Sequence, residues 1–176
     1  MARKNFAEFG PIFHPRPEAK NRAAEEITVC ADKLETLSRQ IGGFKRHKAL
    51  IVEARNDVLL IERSEFNDFG GQVSAYIIDS LFDALEEYAP PYGYFGAYGG
   101  VTDDETIGFW LIEDFHSHFK EPNHINSDRL ERILIHDVYN IPKTFTGEAL
   151  LINYSGHYTL YTVNAGRRSV VWEHRP

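Results

Sequence analysis

The sequence contains a single cysteine, Cys30, and no long apolar run. One cysteine cannot form an intramolecular disulfide, and no cysteine spacing typical of a zinc site occurs. No window approaches the roughly 18 consecutive apolar residues that a membrane-spanning helix needs. The N-terminal residues also lack the apolar stretch of a secretory signal peptide. We therefore expect a cytoplasmic protein that does not associate with membranes.

The sequence also lacks the short motifs of common catalytic sites. It has no P-loop, no dinucleotide-binding glycine pattern and no nucleophile elbow. Glycines alternate with aromatic residues over residues 92–100, but they precede a predicted hairpin instead of opening a helix, so we interpret them as strand and turn residues. Cys30 lies on the apolar stripe of a predicted helix, where an inert thiol is expected. We expect no cofactor.

Apolar and aromatic residues, by contrast, are plentiful. Of the 176 residues, 43% are hydrophobic and 13% are aromatic, which is enough for a core without disulfides or metals. The length is typical of one domain. We expect an extended N-terminal arm over residues 1–16, followed by a single α+β domain over residues 17–176.

Two main helices are predicted from apolar residues at helical spacing. The first carries a stripe from Ala23 to Leu37, and Gly42 with Gly43 ends it. The second covers about residues 72–88 and is expected to bury Tyr76 together with its aliphatic residues.

The rest of the fold is predicted as an antiparallel sheet of short strands. One hairpin is expected to join residues 47–54 to 58–63, and a second is expected to join residues 94–98 to 106–112. The last fifty residues predict a three-stranded meander with two-residue turns. In this register Ile152 faces Thr159, Thr159 faces Trp172, and His157 faces His174.

Charge is distributed unevenly along the chain, whose net charge is −7. Residues 51–126 contain three Lys/Arg against 15 Asp/Glu, a net charge of −12. Such a segment repels nucleic-acid phosphates and attracts basic proteins. We expect no direct nucleic-acid binding. We predict a basic host protein as the partner, and nucleic-acid-binding proteins are one class of such partners. The predicted partner-binding residues are Asp79, Asp83, Glu86 and Glu87 on the second helix, and Asp103, Asp104 and Glu105 in the hairpin loop.

A histidine-rich segment offers an alternative site. His116 and His118 stand two residues apart, so on an extended segment they can share a metal ion, with Glu121 and His124 nearby. No standard zinc or iron motif matches, so solvated loop histidines are the simpler interpretation.

A second alternative is a phosphoesterase site at His157 and Thr159, which alternation puts on the same face of a strand. There the imidazole would transfer a proton and the hydroxyl would hold a phosphate. This chemistry needs two such triplets and the chain has one, so a structural cross-strand group is the simpler interpretation.

Several short motifs in residues 85–176 carry a family resemblance. They are Tyr-Phe-Gly-Ala at 94–97, Gly-Phe-Trp at 108–110, Thr-Leu-Tyr at 159–161 and Trp-Glu at 172–173. The pattern resembles small uncharacterised proteins encoded by bacteriophages and plasmids, and the loop at 98–101 departs from it. The resemblance implies an accessory gene of a mobile element, acting in the cytoplasm of a bacterial host cell, and it implies no particular reaction.

These observations favour a non-catalytic accessory protein that binds a basic partner through an acidic face, which would let it counteract a host nucleic-acid-binding or defence protein. A hydrolase at either histidine site remains an alternative. A third hypothesis is a structural component of a virion or larger assembly, with the N-terminal arm reaching onto a neighbour.

Overall fold

The computed structural model describes residues 6–14, 21–63, 70–98, 106–122 and 130–175. It shows an α+β fold with three helices and two sheets whose strand pairs are mostly antiparallel. The chain forms two compact units, residues 1–112 and residues 113–176. The single domain over residues 17–176 stays a prediction. No helix in the described ranges combines the length and the apolarity needed to cross a membrane.

The first unit is built on three helices: α1 (Arg22–Gln40), α2 (Phe44–Arg63) and α3 (Gly70–Glu86). The apolar stripe predicted on α1 is buried, from Ile27 to Leu37. From α3, Ile77, Leu81 and Leu85 enter the same core. Cys30 is also buried there, as its place on the stripe predicts.

Helix α2 corrects the predicted hairpin over residues 47–63. The predicted turn at Arg55 lies in the middle of the helix, where Arg55 bonds to Asp32 at 2.8 Å and to Glu35 at 2.6 Å. The segment has no Gly or Pro to break a helix. The α2 residues buried in or packed against the core recur at helical spacing: His47, Leu50, Ile51, Ala54, Val58 and Ile61. The hairpin prediction was wrong because this spacing was not recognised.

A three-stranded sheet completes the first unit, in the order β1–β3–β2. Its strands are β1 (Gly10–Phe13), β2 (Gly93–Ala97) and β3 (Ile107–Leu111). The predicted second hairpin is confirmed as β2 paired with β3. Part of the predicted N-terminal arm is strand β1, whose backbone carbonyl at Gly10 lies where a side chain at Gly108 would be. Only a glycine at 108 allows this approach.

The second unit contains a four-stranded sheet in the order β4–β5–β6–β7. Its strands are β4 (Arg132–Ile135), β5 (Gly147–Ile152), β6 (Tyr158–Asn164) and β7 (Arg167–His174). The meander β5–β6–β7 is antiparallel as predicted, and β4 adds a parallel edge strand. A cluster around Ile133, Ala149 and Val163 forms its core.

The register of the meander differs from the prediction by one residue at two places. Ile152 faces Tyr158, because Asn153 accepts hydrogen bonds from the N–H groups of Ser155 and His157 and so forms a longer turn. An irregularity next to Leu160 then places Trp172 opposite Leu160 instead of Thr159.

Candidate functional site

The exposed face of α3 is the first candidate surface. Asp79 and Asp83 stand four residues apart and are both exposed, and Tyr76 beside them is 69% exposed. These three residues share one side of the helix, since residues three and four apart are neighbours on a helix surface. We call them the α3 acidic surface. The prediction that Tyr76 is buried was wrong, because the buried stripe runs through Ile77, Leu81 and Leu85, one position away.

The two aspartates of this surface carry uncompensated charge. Among the residues that the structure describes, neither has an ion-pair or hydrogen-bond partner. Helix α3 itself contains no Lys, Arg or His. Asp83 also lies in the last turn, where the helix dipole is negative and a carboxylate is unfavourable.

Glu86, the last residue of α3, has a role inside the protein. Its carboxylate accepts a hydrogen bond from the backbone N–H of Phe95 in β2. Since β2 is an edge strand, this N–H points away from the sheet and Glu86 supplies its acceptor.

Glu87 also has partners within the chain. Its carboxylate forms an ion pair with Arg46 of α2, and it lies 3.5 Å from Nε2 of the buried His47. Arg46 in turn donates to the same His47 nitrogen. The ring of His47 packs edge-on against Tyr88, whose hydroxyl donates to the carbonyl of Gly42. This polar cluster links the start of α2 to the end of α3.

The environment of His47 shifts its protonation. Burial lowers the pKa of His47, and the Arg46 guanidinium lowers it further, while the Glu87 carboxylate opposes both. A neutral ring can accept the hydrogen bond from Arg46, whereas a protonated ring cannot. Sequence reasoning missed this cluster because the segment was interpreted as a strand.

Of the other predicted partner-binding residues, Asp103, Asp104 and Glu105 lie outside the described residues. Glu86 and Glu87 are exposed but engaged with Phe95 and with Arg46. Their binding role stays a prediction, and the aspartates of the α3 acidic surface are the best-placed carboxylates.

The histidine-rich segment does not adopt the extended conformation on which the metal hypothesis depended. Phe115–His118 is a 3₁₀ helix, in which residues two apart point about 120° away from each other. Glu121 instead lies 3.4 Å from His136, and His124 lies outside the described residues. Within the described ranges, no three His, Cys, Asp or Glu side chains are grouped so that they could hold a metal ion.

The phosphoesterase hypothesis is also not favoured by the geometry. His157 lies in the turn before β6, and the cross-strand neighbours of Thr159 are Leu151 and Glu173. The predicted pairing of His157 with His174 was wrong, since His174 faces Tyr158 and stacks on its ring with centroids 6.4 Å apart. Burial lowers the pKa of His174. These contacts favour a structural role for the group.

Comparison with protein-family models, with curated proteins and with solved structures returned no match. The choice among the candidate sites therefore follows from the contacts of the chain itself. His157 is accounted for by turn formation and His174 by its stacking on Tyr158. Within the part of the chain that the structure describes, the two aspartates of α3 have no such contact.

Proposed function

We propose that this chain is a non-catalytic binding protein whose α3 acidic surface contacts a basic protein partner. The observation that carries the proposal is the pair Asp79 and Asp83, exposed and without a partner among the described residues. A carboxylate near the C-terminus of a helix destabilises it. Residues that are unfavourable for their local structure and have no compensating contact are expected at functional sites.

The exposed Tyr76 adds contact area to the same surface. Tyrosine is enriched among the residues that contribute most to protein interfaces, because it buries a large rigid ring and keeps a polar group. Acidic side chains around it would steer a basic partner and fix its orientation. This combination supports a protein partner over a small molecule.

The partner class that we propose is a host protein with a basic, nucleic-acid-binding surface. Carboxylates on a rigid helix resemble a row of phosphates to such a surface, and attraction of this kind weakens with salt. The resemblance of residues 85–176 to phage- and plasmid-encoded proteins supports an accessory role in the cytoplasm of a bacterial host.

The test is affinity capture from a host lysate with the wild-type chain and with the double variant Asp79→Lys, Asp83→Lys. We expect a basic protein to be retained by the wild type, released by salt and lost in the variant. The matched control is Glu113→Lys with Asp114→Lys, which makes the same change in net charge at two exposed carboxylates outside α3. Equal capture by the wild type and the α3 variant would contradict the proposal, as would a loss in the control alone.

A further inference from the structure

The outer face of α2 carries a repeat of exposed residues. Lys45, Ala49, Val52, Asn56, Leu59 and Arg63 follow one another at spacings of four and three residues, and all six are exposed. We call this set the α2 seam. Val52 and Leu59 are 49% and 47% exposed, and Leu60 beside them is 64% exposed. Three aliphatic side chains this exposed on one helix face are typical of an interaction surface.

The seam lies opposite the buried side of the helix. The residues that α2 buries, His47, Ile51 and Ala54, are at the heptad positions farthest from the seam. In heptad terms, Ala49, Asn56 and Arg63 occupy a, while Lys45, Val52 and Leu59 occupy d. The apolar members of this 4–3 repeat are Ala49, Val52 and Leu59, and apolar residues at a and d positions are the pattern of a two-stranded coiled coil. A shallow groove on this face is lined by α2 residues from Lys45 to Asp57.

We propose that the α2 seam pairs in parallel with the α2 seam of a second copy of this chain. In parallel pairing each seam residue meets its own equivalent, so Val52 packs on Val52 and Leu59 packs on Leu59. The cations Lys45 and Arg63 lie at the two ends of the seam, where their long, exposed side chains can keep their charges in water. Asn56 then meets Asn56 at an a position, where the two amides can hydrogen-bond. A single asparagine at this position favours parallel dimers over other arrangements.

Charge complementarity also points to a second copy in parallel. In a parallel coiled coil, a residue at position g of one helix lies beside the residue five positions later, at position e, of the other helix. Lys48 of one copy therefore lies beside Glu53 of the other. Both are exposed. Arg55, the next flanking cation, is already held by Asp32 and Glu35 of its own chain, so it does not repel its equivalent strongly.

An antiparallel arrangement is less favourable for the same residues. It would bring Glu53 against Glu53 of the other copy, and like charges in contact are destabilising. It would also place Asn56 against Val52, where each buried amide loses its partner. Lys48 would then pair with Glu62, which provides a way to distinguish the two arrangements.

The first test is sedimentation of the full chain across a concentration range. We expect a reversible monomer–dimer equilibrium, with a dissociation constant raised at least roughly tenfold by Val52→Glu or Leu59→Glu, because each introduces a charge into the apolar layers. These side chains are exposed in the monomer, so circular dichroism should show an unchanged fold. A chain that stays monomeric at several hundred micromolar would overturn the proposal.

The second test is a charge swap. We expect Lys48→Glu and Glu53→Lys each to weaken the dimer about fivefold, because two surface ion pairs are lost and replaced by repulsion. The double variant Lys48→Glu, Glu53→Lys should restore the wild-type dissociation constant. Glu62→Gln, an exposed change away from the parallel pairs, is the matched control. Restoration by Lys48→Glu with Glu62→Lys instead would overturn the parallel arrangement.

Discussion

The carboxylate of Glu86, at the end of α3, accepts the backbone N–H of Phe95 on the outer edge of β2. The contact joins the last turn of a helix to an edge strand within the first unit. It gives a partner to a backbone donor on a buried residue. Leaving a buried donor without a partner lowers the stability of the folded protein by about 1–3 kcal/mol.

We therefore expect Glu86→Ala to lower the free energy of unfolding by about 1–3 kcal/mol. Glu86→Gln keeps a carbonyl acceptor in the same place and should lose less than half of this. Urea denaturation of the three proteins measures the difference. Equal stability of the alanine variant and the wild type would show that water replaces the carboxylate.

Replacing Asp83 should raise stability, in contrast to replacing Glu86. Its carboxylate lies in the last turn of α3 without a partner among the described residues. Replacing it by Asn removes an unfavourable interaction with the helix dipole, so we expect Asp83→Asn to raise stability by about 0.3–1 kcal/mol. Asp79→Asn, one turn earlier, should have a smaller effect. If Asp83→Asn were destabilising, the carboxylate would have a structural role and the proposed binding surface would lose its main support.

The helix periodicity of α1 and α3 could be predicted from the sequence because their apolar stripes are regular and bounded by glycine or proline. Helix α2 was missed although its apolar residues also recur at helical spacing, since the polar run Arg55–Asn56–Asp57 resembles a turn. In the structure Arg55 reaches the carboxylates of α1, and Asn56 points outward with the seam. Tertiary contacts, which the sequence pattern does not display, give these residues their places.

Candidate sites were harder to predict than helices and strands. Acidic residues on α3 could be identified from spacing alone, but the engagement of Glu86 and Glu87 depends on Phe95 and Arg46, which are distant in sequence. The register of the meander depended on the Asn153 side chain, which changes the turn length. One longer turn moves every cross-strand pair that follows it.

The buried imidazole of His47 should make the protein less stable in mild acid. Its pKa is lowered in the folded state, chiefly by burial. The unfolded chain therefore takes up a proton at a higher pH than the folded chain does. The stability due to neutral His47 is fully present above the unfolded pKa of about 6.5 and is lost as the pH falls toward the lower folded pKa.

We expect this loss to be smaller in His47→Gln, which cannot titrate. Unfolding free energies of both proteins at pH 7.5 and 5.5 give the comparison, and NMR titration of the His47 ring measures its pKa directly. A ring pKa above 6.5 would mean that Glu87 outweighs burial, and the predicted sign would be wrong.

Cys30 should be inert in the folded protein. Burial, with a smaller contribution from the Glu26 carboxylate, raises the pKa of its thiol to about 12. Since the thiolate is the reactive form, alkylation at neutral pH should be slower than for an exposed thiol by on the order of a thousandfold. Mass spectrometry after iodoacetamide treatment measures this, with Ser169→Cys on the exposed part of β7 as the reactive reference. Comparable labelling of both sites in native buffer would contradict the burial of Cys30.

Two substitutions in the turn between β6 and β7 are expected to change the free energy of unfolding in opposite directions. Ala165 has a φ of 48° and Gly166 a φ of 74°, so both adopt the left-handed conformation of the tight hairpin turn between Asn164 and Arg167. This conformation is unfavourable for alanine and well tolerated by asparagine. We expect Ala165→Asn to raise the free energy of unfolding by about 0.5–1 kcal/mol.

Gly166→Ala should lower stability, because its Cβ would lie 2.5 Å from the carbonyl oxygen of Lys143, a backbone atom that cannot easily move. The chain has two tryptophans, Trp110 in the first unit and Trp172 in the second. Each substitution is introduced separately into a Trp110→Phe background. Trp172 fluorescence then follows the unfolding of the second unit during urea denaturation. The two variants should shift the midpoint in opposite directions. A shift in the same direction would mean that the backbone conformation at this turn does not control the stability of the sheet.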